Sequence, residues 1–199
     1  MIEYTTALTD QDLEEILMLQ KANRPEQLSD EELKKEGFVS IRHDIDLLRD
    51  MNTPYPHVIA KDYDYDSSNN SSTSSRGKVV GYTLSLLRTF DRDRIPLLEG
   101  LTNKADASFY NGLSIKDRNY IIMGQVCIHK EYRGKGIFGG LYAKMRTTLS
   151  PSFDCVITCV SDRNPRSLRA HAKVGFHCVH RYSSHGENWE VLLWDWTTR

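Results

Sequence analysis

Two stretches of this chain, Tyr120–Ile128 (YIIMGQVCI) and Cys155–Ser161 (CVITCVS), are apolar almost without interruption. A strand with one wet face alternates polar and apolar residues. Strands that read like these two are covered on both faces, so the sheet that holds them has other layers packed above and below it. Between them the spacing predicts a helix over residues 137–149, with Ile137, Leu141 and Met145 at i, i+4 and i+8. Strand, loop, helix and strand in that order commit the second half of the chain to a mixed α/β architecture.

The first half follows the same grammar less sharply. A strand is predicted over residues 2–6. Thr9 then caps a helix with Asp10 and Asp12 in its first turn and Leu13, Ile16, Leu17 and Gln20 at helical spacing. Ser29-Asp30-Glu31-Glu32 has the capping-box pattern and opens a second helix that stops near Gly37. A third helix over 41–51 puts Ile45 and Leu48 on one side, and a strand over 57–61 follows. Residues 62–76 read DYDYDSSNNSSTSSR, which buries too little apolar area to offset the entropy of ordering it. The strand Lys78–Leu87 resumes at once, so this is predicted as a disordered surface loop in an expanded hairpin and not as a linker between domains. Residues 88–119 hold a short helix near 96–101 and a second element around Tyr110; long, weakly periodic segments of this kind are functional or mobile. A helix over 164–174, ended by Gly175, and strands over 177–182 and 190–196 close the chain. The expectation is a single α/β domain over 1–199, without internal repeats.

Charge excludes some functions. The 26 Lys and Arg balance 27 Asp and Glu, so no basic excess exists to release counterions from a polyphosphate and general nucleic-acid binding is disfavoured. No apolar run approaches the ~20 residues of a membrane span. Residues 1–20 carry Glu3, Asp10, Asp12, Glu14 and Glu15 and lack the basic start of a signal peptide. These readings predict a soluble cytoplasmic protein with no membrane partner. Cys127, Cys155, Cys159 and Cys178 form no C-x-x-C pair and no zinc spacing, so they are expected as core thiols and no metal is expected. Trp194 and Trp196 share one face of the last strand and are expected to pack the core.

The chemistry concentrates in His129-Lys130-Glu131-Tyr132-Arg133-Gly134-Lys135-Gly136, between the first apolar strand and the helix. Glycines let backbone approach a ligand, and the unpaired amides at a helix start, with the positive end of its dipole, make an anion site suited to phosphate or pyrophosphate. Arg133 and Lys135 add charge. Gly134-x-Gly136-x-x-Gly139 also matches the dinucleotide fingerprint, with Asp162 downstream as ribose acid. Against it, five residues separate the strand from the first glycine, and only 60 residues follow Gly139. The phosphate loop of nucleotide triphosphatases fails because no Gly-Lys-Ser/Thr ends the segment.

Tyr132-Arg133-Gly134-Lys135-Gly136-Ile137 resembles the acetyl-CoA pyrophosphate loop of GNAT-type N-acetyltransferases, whose pattern is Gln/Arg-x-x-Gly-x-Gly/Ala. Arg133 and Gly136 match, and Phe138 stands where the last small residue is usual, with Gly139 just after. Asn164-Pro165-Arg166-Ser167-Leu168-Arg169-Ala170-His171-Ala172-Lys173-Val174-Gly175-Phe176 resembles the family's second motif, in which Asn begins the helix beside the pantetheine arm and Gly-Phe ends it. The resemblance covers residues 120–182. It implies a central, mixed, mostly antiparallel sheet with flanking helices and one splayed strand pair. It implies acetyl-CoA as cosubstrate, an amine acceptor, direct transfer of the acetyl group onto a primary amine, and it allows a homodimer. The implied cofactor contacts are Cys127 and Ile128 on the splayed strand, then Arg133, Gly134, Lys135, Gly136, Ile137, Phe138, Gly139 and Asn164. His171 occupies the position where the family commonly has a Tyr near the thioester sulfur, which implies a role as acid for the leaving thiolate. The family often has a carboxylate on the first apolar strand; here there is only Gln125, which reads as a hydrogen-bonded core group or a substrate contact. His43, Asp44 and Asp46 read as an acceptor-cleft lining or as a solvated helix face. A non-catalytic acyl-CoA-binding module is the alternative from another class.

Overall fold

Thr9 starts the first helix as predicted, and in full: its side chain accepts from the amide of Asp12 while the Asp12 carboxylate reaches back to the amide of Thr9. This capping box fixes the end of α1 (Asp10–Ala22). The computed structural model describes residues 1–27, 38–39, 41–64, 77–91, 93–184 and 186–197. The helix predicted from Ser29 and the 65–76 part of the predicted loop lie outside the described residues.

The strands are β1 (Ile2–Thr6), β2 (Val58–Asp62), β3 (Lys78–Leu87), the short hairpin β4 (Phe109–Tyr110) and β5 (Leu113–Ser114), then β6 (Tyr120–Ile128), β7 (Cys155–Ser161), β8 (His177–Ser184) and β9 (Glu187–Asp195). Among the described residues the further α-helices are α2 (Ile45–Met51), α3 (Leu97–Asp106), α4 (Ile137–Leu149) and α5 (Pro165–Val174). Seven strands form one sheet in the order β1-β2-β3-β6-β7-β9-β8. Every neighbouring pair is antiparallel except β6–β7. The hairpin nature of β2–β3 agrees with the sequence reading of residues 62–76 as a connection between paired strands.

Apolar side chains from alternate strand positions feed two cores. One holds Leu13, Ile16 and Leu19 of α1, Leu47 and Leu48 of α2 and Leu98 and Leu101 of α3 against Tyr82, Leu84, Tyr120 and Ile122. The other holds Ile137, Leu141, Tyr142 and Met145 of α4 against Val58, Val80, Ile121, Met123 and Val156, with Leu168 of α5 and Trp194 at its margin and Trp196 within it. Burial on both faces is what the two unbroken apolar stretches require. The close approach of α4 to β1 explains one glycine: a Cβ at Gly140 would lie 2.1 Å from the ring of Tyr4.

The parallel pair is short. β6 and β7 are in register only from Tyr120–Cys155 to Ile122–Ile157, and beyond Ile122 they have no pairing. The separation begins where β6 bulges. Its register with β3 shifts between Leu84 and Ser85, and Gly124 has no partner. A bulge adds one residue, bends the strand and reverses which side chains face which core. Tyr120 and Ile122 point to the α1–α3 side before it; Cys127 joins them after it, while Val126 and Ile128 pack on the α4 side.

Candidate functional site

The gap between β6 and β7 opens into a cavity of about 470 Å³ that runs along the end of β6, the loop after it, the start of α4 and one side of α5. The ladder decides which backbone groups face it. The amide of His129 donates to the Val80 carbonyl at 2.9 Å. Because bonded and non-bonded pairs alternate in an antiparallel ladder, Cys127 and Gln125 are then tied to Tyr82 and Leu84, and the amides and carbonyls of Val126 and Ile128 turn away from β3. Cys127, expected as a cofactor contact, borders the cavity, but its peptide groups belong to the β3 ladder and burial pushes its thiol up to about 12. Val126 takes its place. Its signal was Gly124, since a glycine inside a strand marks a bulge.

Gly134, Gly136, Ile137, Phe138 and Gly139 all line the cavity. Gly134 and Gly136 have φ of +76° and +81°, a region where side chains are strained, and a Cβ on either would meet no protein atom within 4 Å. Gly136 is the N-cap of α4 and supplies no side-chain cap, so the first amides of the helix are left for a ligand. Arg133 also borders the cavity, but its guanidinium serves the protein: Nε donates to the Ile128 carbonyl at 3.1 Å and a terminal nitrogen to Asn23 Oδ1 at 2.5 Å. Lys135 is not among the lining residues; its ammonium lies over the ring of Tyr132 at 5.2 Å. Positive charge comes instead from Arg166 and Lys173, which with Ala170 fall at i, i+4 and i+7 on the cavity side of α5. That spacing is legible in the sequence.

Asn164 begins α5. Its Oδ1 accepts from the Ser167 amide at 3.2 Å as the N-cap of α5, and its side chain lines the cavity. His171, about two turns on, is buried at 1% exposure. Its Nδ1 lies 2.8 Å from the Ser167 carbonyl, which only accepts, so Nδ1 carries the proton; Nε2 then accepts from the Tyr142 hydroxyl at 2.7 Å. Burial lowers its pKa to about 4, so the ring is neutral with both nitrogens spent. The arrangement leaves no proton on it for a departing sulfur. Of the cysteines, Cys127 and Cys155 are buried, Cys159 is half-buried, and Cys178, expected in the core, is exposed.

A second recess, about 110 Å³, continues the cavity past the gap and shares Phe38, Val39, Val126, Asn164 and Ser167 with it. Gln125 stands at its edge with every polar atom engaged. Its Oε1 accepts from the Tyr82 hydroxyl at 2.6 Å and from Gln20 Nε2 at 2.9 Å, and its Nε2 donates to the Ile41 carbonyl at 3.0 Å. Gln125 is therefore the hydrogen-bonded core group of the two readings. Among the described residues lining this recess there is no carboxylate. Asp44 caps α2 by accepting from the Leu47 amide, and exposed Asp46 pairs with Arg49.

Solved structures of the same fold span nearly the whole chain. Arabidopsis thaliana NAA60 in complex with acetyl-CoA is 15% identical at a TM-score of 0.66, covering 98% of this chain and 99% of that one. The NatC complex bound to Gag peptide and CoA contains a chain 16% identical at a TM-score of 0.60, with 98% of each covered. The ribosomal-protein-S18-alanine N-acetyltransferase from Escherichia coli is 9% identical at a TM-score of 0.59, covering 98% and 94%. No protein-family model and no curated protein matches the chain. The likeness is one of fold, and the fold is that of acetyltransferases of the GNAT family.

Proposed function

We propose that this chain is an N-acetyltransferase that moves the acetyl group of acetyl-CoA directly onto a primary amine. The observation that carries the reading is the early parting of β6 from β7, with the uncapped start of α4 beside it. The amides of Gly136, Ile137, Phe138 and Gly139 receive the pyrophosphate, and Arg166 and Lys173 add charge along α5. The pantetheine arm lies in the gap as a substitute strand, bonded to Val126, Ile128 and the Asn164 side chain. The thioester carbonyl then sits near the bulge, where a β6 amide stabilises the oxyanion as it forms. The acceptor comes from the recess beyond. That recess weighs against a module that only binds acyl-CoA, which has no use for a second opening at the acyl end.

No base is at hand. Among the described residues lining the recess the ionisable side chains are Cys159, its thiol raised to about 11 by burial, and His171, lowered to about 4. The amine itself must arrive neutral. Stopped-time assays of CoA release with amines of different basicity test this. kcat/KM is expected to rise tenfold per pH unit up to the pKa of each amine, so that the breakpoint moves with the substrate. A breakpoint fixed at one pH for all amines would reveal a base on the enzyme, and no release with any amine would leave only the binding module.

His171 is read as a brace between α5 and α4 through Tyr142. His171→Phe is expected to keep turnover within a few fold and to lower stability by about 1–3 kcal/mol, because the buried Tyr142 hydroxyl loses its acceptor. A hundredfold loss of kcat at unchanged stability would make His171 the leaving-group acid after all.

A further inference from the structure

The acceptor recess continues inward. At Gly124 it meets a smaller apolar pocket of about 30 Å³, and the two share Ile41, Leu97, Met123, Thr158 and Cys159. The bulge glycine keeps the passage open, since a Cβ there would lie 2.9 Å from Leu86 Cδ2. The inner pocket is walled by Leu86, Ile95, Leu98, Leu101 and Ile122, from β3, β6, α3 and the segment leading into it. Among the described residues lining the two spaces there is no Asp, Glu, Lys or Arg.

Thr158, Ser161, Asn164 and Ser167 also line these spaces, but they are neutral and offer a second cation no counter-charge. Gln125 is fully engaged, as is His171. His43 borders the inner pocket and could seem a partner, but its state is set by Gln20. The Gln20 amide nitrogen donates one proton to Gln125 Oε1 and the other to His43 Nδ1 at 2.7 Å, while its oxygen accepts from the His43 amide at 3.0 Å. Reversing that amide would set oxygen against Gln125 Oε1 and nitrogen against the His43 amide, so the orientation is fixed. His43 thus keeps its proton on Nε2 and offers the pocket a neutral donor and no lone pair. A substrate carrying a second ammonium into this space would bury a charge with no carboxylate among the described lining residues to pair it, which costs far more than apolar contact returns.

We infer that the acceptor is a monoamine whose group next to the reacting nitrogen is uncharged and apolar, and which fills this recess. Polyamines, aminoglycosides and amines flanked by a second cation are excluded. The inference rests on the acyl-transfer reading for its chemistry, but the recess can be tested without turnover. An apolar side chain of this kind reaches the site either on a free small amine or as the first residue of a peptide, and both present the same chemistry to the walls.

The test compares leucinamide, glycinamide, spermidine and a tetrapeptide beginning with Leu, by kcat/KM with saturating acetyl-CoA and by calorimetry on CoA-loaded protein. Leucinamide or the Leu peptide is expected to exceed glycinamide at least tenfold, as buried methylenes in an apolar pocket allow, with spermidine the weakest. Whichever of the first two leads identifies the source, and either supports the inference. Spermidine equal to or better than leucinamide overturns it. If no amine releases CoA, the acyl-transfer reading fails, and the same order of binding by calorimetry still decides the recess. Leu97 is half-buried, borders the recess and its inner pocket, and does not border the acetyl-CoA cavity. Leu97→Glu is expected to cost leucinamide at least tenfold in KM, to raise the standing of spermidine, and to leave the KM for acetyl-CoA within twofold. Equal losses for both substrates would show a merely damaged fold and overturn the role given to Leu97.

Discussion

Lowering the pH from 7 to 4 is expected to unfold this protein, with most of the loss between pH 6 and pH 4.5. The cause is a set of histidines buried neutral. His57 is fully buried: its Nδ1 accepts from the Ser85 amide at 3.1 Å and its Nε2–H donates to the Leu48 carbonyl at 3.2 Å. His43 Nδ1 and His171 Nε2 likewise each accept from a fixed donor. Protonation would set a new N–H against Ser85, Gln20 or Tyr142, in surroundings that already resist charge. Burial accordingly lowers His57 to about 3 and His43 and His171 to about 4, against 6.5 in an unfolded chain. The unfolded state therefore takes up protons below pH 6.5 that the native state refuses until near pH 4 or 3. Stability is flat above 6.5 and falls as pH drops through that window. At pH 5 each such histidine costs about 2 kcal/mol, and together about 6 kcal/mol, comparable to the lower end of the roughly 5–15 kcal/mol by which domains are stable. Urea unfolding at pH 7, 6 and 5 reads the slope, which approaches three protons per unit near pH 5. His57→Gln should lower stability at pH 7 yet remove one proton from that slope. Equal stability at pH 7 and pH 5 would mean that these rings are not held neutral.

The same residues show how far a sequence carries. Elements with an unbroken signal were legible to the residue: Lys78–Leu87, Tyr120–Ile128, Ile137–Leu149 and Cys155–Ser161 are bounded as read. Burial on two faces leaves a strand no choice of pattern, and Gly136 before α4 marks its start. Elements held by caps and tertiary contacts drifted. The helix expected over 41–51 begins only at Ile45, because the Asp44 side chain takes the Leu47 amide and makes Asp44 the cap, and the helix expected near 96–101 runs to Asp106. The β4–β5 hairpin stands where a second element around Tyr110 was expected. The pyrophosphate loop was legible because glycines are needed there for reasons local to the chain. Register was not. Whether Val126 or Cys127 turns its peptide groups into the gap depends on the bulge at Gly124, and the bulge on pairing with β3, forty residues away in sequence on the order of one strand pairing. The surroundings of His171 were illegible for a related reason: its neighbour Tyr142 lies on another helix, and only that bond shows both ring nitrogens to be occupied.

Replacing Gly136 by Asp is expected to abolish acetyl-CoA binding while the protein stays folded. Gly136 sits at φ +81°, where Asp is tolerated better than most residues at a cost of about 1–2 kcal/mol. A Cβ there meets no protein atom within 4 Å, so the backbone has room for it. What the new carboxylate meets is the ligand. It would stand at the uncapped start of α4, where the helix amides hold a pyrophosphate in the proposed complex. Two like charges 5 Å apart at an effective dielectric near 20 repel by about 3 kcal/mol, and the pyrophosphate brings more than one, so affinity should fall by a factor on the order of 10² or more. The carboxylate also caps the helix that the ligand would otherwise cap, which offsets part of the backbone strain. Gly139→Ala separates space from charge. Gly139 has no positive φ and no protein atom within 4 Å of a Cβ, and it lies in the first turn of α4, so alanine should raise the melting temperature through helix propensity worth up to about 1 kcal/mol. If the emptiness above Gly139 is there for phosphate, the same alanine should weaken acetyl-CoA binding severalfold. Calorimetry with acetyl-CoA on the two variants, beside thermal melts, gives both readouts. A folded Gly136→Asp protein that binds acetyl-CoA as the parent does would remove the pyrophosphate from this loop, and with it the acyl-transfer reading of the whole gap.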